Sequence, residues 1–378
     1  MEAGNNSFSL DDLLRGMARF DASDLHLKVG YPPYYRVAGA LRRVEVAPIS
    51  SSEQIEEMMS AIIPPKRRSD YETKGDLDFA YQGPTGERFR INVFRCNEEM
   101  HSAIRRVRSV IPSFEELHLP PIYKQIIEKH NEGLILVSGV TGSGKSCTLA
   151  AMMDYINEHR NEHIITIEDP VEFVFTPKKS VISQREIGLD IPDYAEALKY
   201  VVRQDPDVVF IGEMRDGLTM LAAIQAAETG HLVLGSIHCA DAPQALARIL
   251  EYFSQDQHEF IRSSLSNSLV AVCCQKLLPA VDPKVARVPA TEVLLANSLV
   301  REKIRHGEDE DLPDIIASSI SDGMRNFTYS LAELLDRELV YYDVAMQYAP
   351  NREALQSSIQ GIKTSSHGLV SRIRKGAG

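Results

Sequence analysis

The sequence lacks an excess of basic residues. Among its 378 residues, 53 are Asp or Glu and 41 are Lys or Arg, so the formal net charge is −12. Proteins bind phosphate backbones through clustered Lys and Arg side chains. The charge balance therefore argues against a nucleic acid as the main partner, although it leaves room for a local basic groove.

Long apolar runs are also absent. No stretch approaches the roughly 20 apolar residues that span a bilayer. The first residues, MEAGNNSFSLDD, contain no basic region ahead of an apolar one. We therefore expect a cytoplasmic location and only peripheral membrane contact.

Cysteine is scarce and has no metal-binding spacing. The five cysteines are Cys96, Cys147, Cys239, Cys273 and Cys274, and no two of them form a C-x-x-C pair. A reduced cytosolic compartment is the simplest interpretation of this pattern.

The length is too great for one ordinary core, so the sequence predicts two or three domains. Residues 1–108 predict an antiparallel α+β domain, because amphipathic helical segments alternate with strands of period two. Turn signals that include Gly83-Pro84 and Gly86 separate the strands. The Pro-punctuated residues 109–122 predict a linker able to act as a hinge. The predicted helices are Ser9–Arg19 and Ser51–Ile63, and the predicted strands are Asp24–Val29, Tyr34–Val37, Asp76–Tyr81, Arg88–Phe94 and Ser102–Val107.

Residues 123–360 predict a second domain, in which short apolar strands alternate with helices. Such strands form a parallel sheet covered by helices on both faces, which is an α/β architecture. Ligands of these sheets bind at the carboxyl ends of the strands. The predicted strands are Leu134–Ser138, Ile164–Glu168, Val208–Gly212 and Leu232–Ile237, and the helices are Ser146–Glu158, Tyr194–Arg203 and Leu218–Thr229.

From about Asp241 the pattern predicts a mainly helical part. The predicted helices are Ala242–Phe253, His258–Gln275, Leu312–Ile320 and Tyr329–Glu338, with a hairpin within Pro279–Ala296. Residues 361–378 carry Lys363, Arg372, Arg374 and Lys375 but no acidic residue. They predict a disordered, solvated tail, and contact with an acidic lipid or a partner is the alternative.

The segment Gly139–Ser146, GVTGSGKS, fits the pattern G-x-x-x-x-G-K-[ST]. It follows an apolar strand and opens a helix, which favours a phosphate-binding loop over a chance Gly/Ser-rich turn. In such a loop Lys145 reaches the β- and γ-phosphates of ATP, and the Ser146 hydroxyl binds Mg²⁺. The predicted nucleotide-binding residues are Gly139, Thr141, Gly142, Ser143, Gly144, Lys145, Ser146 and Cys147, the last as a small filler.

Acidic residues follow two of the central strands. Glu168, in Glu168-Asp169-Pro170, is placed to polarise a water for in-line attack on the γ-phosphorus. An isolated acid at such a position more often caps a loop. Glu213 follows the next strand at the Walker B position, and its longer reach than Asp predicts contact with Mg²⁺ through water.

Two histidines bracket the fourth central strand, His231 before it and His238 after it. An isolated histidine on a strand is more often structural than catalytic. Because two of them flank a strand beside the presumed γ-phosphate, we predict that His238 senses this phosphate, with His231 as the second candidate. Nothing in the sequence supports nucleophile roles for Cys147 or Cys239.

The first domain offers cations for hydrolysis. Fast phosphoryl transfer needs a positive charge that compensates the charge of the transition state. Two interpretations stay open: a basic sheet face in water, or Arg90 and Arg105 pointing at a nucleotide held between domains. The candidates on the predicted strands and beside them are Arg88, Arg90, Arg105, Arg106 and Arg108.

Together these motifs resemble the secretion-type AAA-related ATPases, and among them most closely the type IV pilus retraction ATPases of the PilT/PilU family. The resemblance runs from about Ser23 to Tyr348. The motifs are SDLHL from Ser23, the phosphate loop, ITIEDPVE ending at Glu172, DPDVVFIGEMRD from Asp205 to Asp216, and TGHLVLGSIH ending at His238.

The resemblance implies a PAS-like N-terminal domain, a RecA-like ATPase domain with a helical C-terminal part, and a homohexameric ring with nucleotide between domains. It implies ATP and Mg²⁺ as cofactors, pilus retraction as the function, and an inner-membrane pilus platform protein as the partner. By position, Glu168 corresponds to the catalytic glutamate, Glu213 to the Walker B glutamate, His231 and His238 to the His box, and Arg90 and Arg105 to the arginines that reach the nucleotide.

The chain departs from the family pattern in two places. Arg95–His101 replaces a Gly/Arg-rich loop, and Ser298–Glu302 retains only part of the C-terminal retraction motif. The four-cysteine zinc module of extension motors has no counterpart among the cysteines. A retraction motor and a PilU-like accessory or nucleotide-gated ring therefore both stay open, while the acidic charge disfavours a nucleic-acid motor.

Overall fold

The computed structural model describes residues 8–83, 85–107 and 110–365. It separates into two units, one with the residues up to Val110 and Glu172–Thr176, the other with Ile111–Val171 and the residues from Pro177 on. No helix in the described ranges is both long enough and apolar enough to cross a bilayer. Pro84 and Arg108, the Lys363 side chain, and residues 366–378 with Arg372, Arg374 and Lys375 lie outside the description. The boundaries 1–108, 109–122, 123–360 and 361–378 stay predictions.

The first unit is a six-stranded antiparallel sheet with strand order β3-β2-β1-β6-β5-β4. Its described elements are α1 (Leu10–Arg19), β1 (Ala22–Leu27), β2 (Tyr34–Val37), β3 (Ala40–Arg43), α2 (Ser52–Ser60), α3 (Arg68–Lys74), β4 (Asp76–Gln82), β5 (Arg88–Cys96) and β6 (Glu99–Arg106).

Period-two alternation builds the core of this unit. Phe89, Ile91 and Val93 of β5 are fully buried, while the residues between them face the other side of the sheet. Helix α1 begins at a capping box in which Ser9 and Asp12 bind each other's backbone N–H groups, and it buries one apolar stripe. The predicted α+β pattern is confirmed for these elements.

Two elements of the first unit were not foreseen. Strand β3 is exposed at every position, so it carries no alternation that a pattern could reveal. Helix α3 has seven residues and buries only Tyr71, which is too little for a helical periodicity.

The second unit contains a seven-stranded sheet with strand order β13-β12-β7-β11-β10-β8-β9. Only β13 pairs antiparallel, and the other neighbours are parallel. The elements up to the last strand are α4 (Ile122–Lys129), β7 (Gly133–Ser138), α5 (Lys145–His159), β8 (His163–Glu168), β9 (Val181–Glu186), α6 (Tyr194–Val201), β10 (Val208–Ile211), α7 (Gly217–Glu228), β11 (Leu232–Ile237), α8 (Ala242–Glu251), α9 (His258–Ser268), β12 (Leu269–Pro279) and β13 (Arg287–Leu295).

Strands β7, β10 and β11 are buried at every position, as expected for a parallel sheet covered on both faces. The register pairs Ser138 with Ile237 and Ile211 with Ile167. The residues that follow these strands therefore emerge at one edge of the sheet. The helical C-terminal part then adds α10 (Ser298–His306), α11 (Leu312–Ser318), α12 (Phe327–Asp336), α13 (Tyr342–Tyr348) and α14 (Arg352–Ser365).

Two predictions in the C-terminal part were wrong. The helix predicted to run to Gln275 ends at Ser268, and Leu269–Pro279 is the long strand β12 beside β7. Its first six residues form a continuous apolar run, which periodicity alone cannot assign to a strand or a buried helix. Helix α14 also continues to Ser365, so residues 361–365 of the predicted disordered tail are helical.

Candidate active site

The phosphate-binding loop connects β7 to α5, as predicted. Gly139, Gly142 and Gly144 have positive φ angles of 152°, 79° and 90°, which favour glycine over residues with a side chain. A Cβ atom at Gly139 would lie 2.4 Å from Ser143 Oγ. This loop conformation therefore requires glycine at these positions.

The loop ends at the N-terminus of a 15-residue helix, and the first N–H groups and the dipole of a helix favour an anion at this end. Gly144 is the N-cap, and the first turn contains no acidic residue that could take the place of an anion. Ser146 and Cys147 are half-buried in that turn, and Thr141 on the loop is exposed. The predicted nucleotide-binding residues therefore surround one anion-binding helix terminus.

Lys145 connects the loop to two strand ends. Its Nζ donates to Gly139 O at 2.8 Å and lies 3.3 Å from His238 Nδ1, and the side chain is buried. His238 Nε2 lies 3.0 Å from Glu213 Oε1, and Arg215 donates to Glu213 Oε2 at 2.6 Å. The structure thus brings together Lys145, His238 and Glu213, which the sequence analysis had placed at one site.

The charges of this group determine its protonation. Burial raises the pKa of Glu213, but the hydrogen bond from Arg215 and the nearby positive charges outweigh it and hold the pKa below its ordinary value. Burial and the Lys145 ammonium lower the pKa of His238, although Glu213 opposes them. At neutral pH Glu213 is an anion and His238 is uncharged.

Glu168 is buried at the end of β8. Its Oε1 accepts hydrogen bonds from Thr166 Oγ1 at 2.7 Å and from Gln184 Nε2 at 3.1 Å. Gly212, at the end of the neighbouring strand β10, donates its N–H to Ile167 O at 2.8 Å. A Cβ at Gly212 would lie 3.3 Å from Glu168 Cα, so glycine lets the two strand ends approach closely.

Tyr194 supports the proximity of the acidic residues. Its pKa is raised by burial and then by the negative charges of Asp169, Glu168 and Glu213. The Tyr194 hydroxyl therefore lies near enough to Glu168 and Glu213 for both carboxylates to raise its pKa. A cleft of about 530 Å³ also borders Glu213 and His238 and continues along α8 to Arg248.

The structure does not bring His231 to this site. His231 precedes β11 and His238 follows it, so they lie at opposite ends of a six-residue strand, roughly 20 Å apart by the rise of a strand. The Nδ1 of His231 lies 2.9 Å from Ala226 O and 3.2 Å from Thr229 Oγ1, beyond the C-terminus of α7. The prediction of a role for His231 beside the γ-phosphate is not supported within this chain.

Arg90 and Arg105 belong to the first unit and are paired across β5 and β6. Arg105 Nε donates to Asp24 Oδ1 at 2.9 Å, yet 69% of its side chain is exposed. Arg90 Nε lies 3.7 Å from Asp78 Oδ1. The contact of both arginines with a nucleotide stays a prediction.

Two residues that support the site, Ser138 and Gln275, were not predicted from the sequence. Ser138 Oγ donates to Cys239 O at 2.9 Å and accepts from Cys239 N at 3.0 Å, which fixes the loop after β11 against the end of β7. Gln275 binds Ser143 and Thr148. The available signal for Gln275 was a polar residue among apolar ones. The sequence pattern predicts a helix for this segment, however, and a helix would not place Gln275 beside the loop.

The oxygen atoms at the loop fit the predicted cofactors. The Ser146 hydroxyl and the Glu213 carboxylate are ligand types that Mg²⁺ prefers. The described ranges contain no group of three or more His, Cys, Asp or Glu side chains that could hold a metal by themselves. A magnesium ion here would therefore depend on phosphate and water oxygens for the rest of its shell, as expected for a phosphate-binding loop.

Comparison with known proteins relates this site to a family. A family profile described as Type II/IV secretion system protein matches residues 10–321. The chain is 40% identical to a twitching motility protein of Neisseria gonorrhoeae, over 85% of this chain and 86% of that protein. It is 37% identical to the type IV pilus ATPase PilU of Pseudomonas aeruginosa, over 93% of this chain and 91% of that protein.

A solved structure extends the likeness to the fold. The crystal structure of the pilus retraction motor PilT with bound ADP is 36% identical and has a TM-score of 0.85, with 93% of this chain and 100% of that chain covered. This likeness confirms the predicted fold class, an α+β first part followed by an α/β ATPase fold with C-terminal helices. The chain belongs to the type IV pilus retraction ATPase family, within the type II/IV secretion system proteins.

Proposed function

We propose that this chain is a homohexameric, Mg²⁺-dependent ATPase that powers type IV pilus retraction. The observation that carries the proposal is the connection from Lys145 through His238 to Glu213, which ties the phosphate-binding loop to the ends of β11 and β10. Such a connection lets the occupant of the loop influence both strand ends. It is the arrangement expected of a hydrolase that senses a terminal phosphate.

Lys145 would bind the β- and γ-phosphates. Its ammonium group now contacts the carbonyl oxygens of Gly139 and Val140, which are weaker partners than phosphate oxygens. Exchange of these carbonyls for phosphate would leave Lys145 next to His238. His238 is then placed to report whether the terminal phosphate is present.

Glu168 would act as the general base. Thr166 and Gln184 both bind its Oε1, which fixes the plane of the carboxylate in a buried position. A fixed carboxylate can orient a water for in-line attack on the γ-phosphorus and accept its proton.

Ser146 and Glu213 would hold the Mg²⁺ ion. Both oxygens of Glu213 already have partners, His238 for Oε1 and Arg215 for Oε2, so we place its contact with the ion through water. When bound, the ion offsets negative charge on the phosphates and so assists phosphoryl transfer.

Arg90 and Arg105 would supply further positive charge to the transition state in a ring of six chains. Both are on the sheet of the first unit, and Arg105 is largely exposed, which leaves its guanidinium accessible to an anion. Mass measurement of the purified protein should then give six times the chain mass of 42.2 kDa.

Motion would follow from nucleotide binding. In this proposal, the Pro-rich linker 109–122 lets one domain rotate when ATP binds, and the rotation turns an inner-membrane platform protein so that pilin subunits return to the membrane. The ring itself would stay in the cytoplasm and contact the membrane only peripherally. Support comes from the likeness to a PilT structure and to a twitching motility protein.

The central test is Glu168→Gln in the purified protein. The amide keeps the size of the side chain but cannot accept a proton, so we expect kcat to fall by about 10² or more. Affinity for ATP should change less than threefold. Lys145→Ala is the matched control, because it should abolish nucleotide binding itself. Near-normal hydrolysis by the Glu168→Gln protein would remove Glu168 from the proposed role.

One comparison is also compatible with a second function. The chain resembles PilU of Pseudomonas aeruginosa at 37% identity, about as closely as it resembles the solved PilT structure at 36%. An accessory, nucleotide-gated ring that assists a stronger motor is therefore the alternative. Deletion of the gene separates the two: loss of all twitching with hyperpiliated cells supports the main motor, and weakened retraction against load supports the accessory ring.

A further inference from the structure

Gln275 lies within β12, the strand next to β7, and only 1% of it is exposed. Its Nε2 donates to Ser143 O at 2.7 Å, and its Oε1 accepts from Thr148 Oγ1 at 2.9 Å. One buried side chain thus joins the phosphate-binding loop to the beginning of α5. Because both ends of the amide have partners, the side chain is held in one orientation.

The bond to Ser143 O determines how the next peptide group is turned. In a trans peptide, the carbonyl of one residue and the N–H of the following residue point in opposite directions. Gln275 holds the carbonyl of Ser143 on the β12 side, so the N–H of Gly144 points away from β12. Backbone N–H groups that point into the loop are what bind phosphate in this kind of site.

Other contacts from the hairpin of β12 and β13 support the side of the loop that faces β12. A Cβ at Gly139 would lie 2.6 Å from Gln275 O, and one at Gly144 would lie 3.1 Å from Gln275 Nε2. Arg287, on β13, donates to Gly142 O at 3.5 Å. The hairpin β12–β13 therefore binds two successive carbonyls of the loop, those of Gly142 and Ser143.

We propose that Gln275 is a positioning residue for nucleotide binding, which holds the Ser143–Gly144 peptide so that the Gly144 N–H faces a phosphate shared by ADP and ATP. The inference rests on the proposed nucleotide site and adds a residue to it. Gln275 does not touch the reacting atoms. Loss of the Gln275 amide should weaken the binding of the ground state and of the transition state equally, so the KM rises while kcat is kept.

The test compares Gln275→Leu with Thr148→Val in the full-length protein. Gln275→Leu removes the donor to Ser143 O, whereas Thr148→Val keeps that donor and removes only the bond to Oε1. For Gln275→Leu we expect the Kd of ADP and the KM of ATP to rise about tenfold, with kcat within twofold of the wild type. For Thr148→Val we expect changes below threefold in both constants.

Each outcome decides between the proposals. Equal ADP affinity in the wild type and Gln275→Leu would overturn the role of Gln275 alone, as would equal losses in both variants, which would indicate a general effect of the core. Failure of Gln275→Leu and of the more flexible Gln275→Met to fold, with Thr148→Val folded, would also overturn it, by making Gln275 a requirement of the fold. Absence of ADP binding by the wild type would instead contradict the proposed function.

Discussion

His238 occupies a position between two charged groups. Its Nδ1 lies 3.3 Å from the Lys145 ammonium and its Nε2 lies 3.0 Å from Glu213 Oε1. With the proton on Nε2, the neutral ring accepts from Lys145 and donates to Glu213 at the same time. Burial and the charge of Lys145 favour this neutral form by lowering the pKa of His238 below 6.5.

This arrangement predicts an acid limit to activity. Below the lowered pKa of His238, a proton on Nδ1 would remove the acceptor for Lys145 and place two positive charges side by side. We expect kcat/KM for ATP, which reports ionisations of the free enzyme and of free ATP, to fall through protonation of His238 only at a pH below the ordinary histidine pKa of 6.5. In the His238→Gln variant, the part of the fall in kcat/KM that comes from protonation of the protein should disappear.

The comparison with His238→Gln cancels the ionisation of ATP, which both proteins share. Superimposable pH profiles of kcat/KM for the wild type and the variant would contradict the assigned role of His238.

The two histidines show what a sequence can predict about single residues. The chain direction of a parallel strand decides which of its ends meets the phosphate-binding loop, and β11 runs so that His238 lies there and His231 does not. Glu168 and Glu213 were identified for the same reason, since Glu168 ends β8 and Glu213 follows β10. Gln275 was not identified, because its partners are on a loop and a helix more than 100 residues away in the chain.

At the scale of elements, Glu292 on β13 caps helix α8. Its Oε1 accepts from Ala242 N at 2.9 Å, at the start of the helix that follows His238. Burial raises the pKa of Glu292 to about 7, helped by the negative charge of Asp241, while the bond to Ala242 and the charge of Lys276 act in the opposite direction. The cap is therefore protonated at mildly acidic pH and ionised at alkaline pH.

This shift predicts a stability that depends on pH. A carboxyl whose folded pKa lies above its unfolded value of about 4.5 contributes stability below that value and loses it as the pH rises through about 7. Between pH 6 and 8.5, the wild type should lose about 1 kcal/mol more unfolding free energy than Glu292→Gln. Chemical denaturation at both pH values measures the difference.

Glu302→Gln is the control, because Glu302 is exposed on α10. If the unfolding free energy of Glu292→Gln depended on pH as it does in the wild type and in Glu302→Gln, the raised pKa of the buried Glu292 would be refuted.

Short apolar strands that alternate with helices were predictable, and elements defined by their neighbours in the sheet were not. Strands β7, β10 and β11 are short apolar runs between helices, so the pattern alone identified them. The run Leu269–Cys274 is equally apolar, but only its place between β7 and β13 makes it a strand. The exposed β3 shows no burial pattern at all and exists through its pairing with β2.

At the scale of the whole molecule, cations of the first unit are proposed to act on a nucleotide during catalysis. Arg105 and Arg36 both flank Asp24, at 2.9 Å and 3.8 Å, but only Arg105 is proposed to reach a nucleotide. Arg105→Ala should lower kcat at least tenfold and change nucleotide affinity much less, because the cation acts on the transition state.

Arg36→Ala is the matched control, since it also removes an ion pair with Asp24. It should leave kcat near the wild-type value. Equal losses in both variants would trace the effect to Asp24, and a loss of binding with kcat kept would exclude Arg105 from transition-state stabilisation.

Whether ATP hydrolysis at Glu168 drives the motion is measured most directly by the retraction of fluorescently labelled pili in cells whose only copy of the gene carries Glu168→Gln. We expect the variant to accumulate to wild-type levels and pili still to extend, while retraction and twitching are lost, so that cells become hyperpiliated. Retraction at wild-type speed in those cells would contradict ATP hydrolysis at Glu168 as the source of the motion.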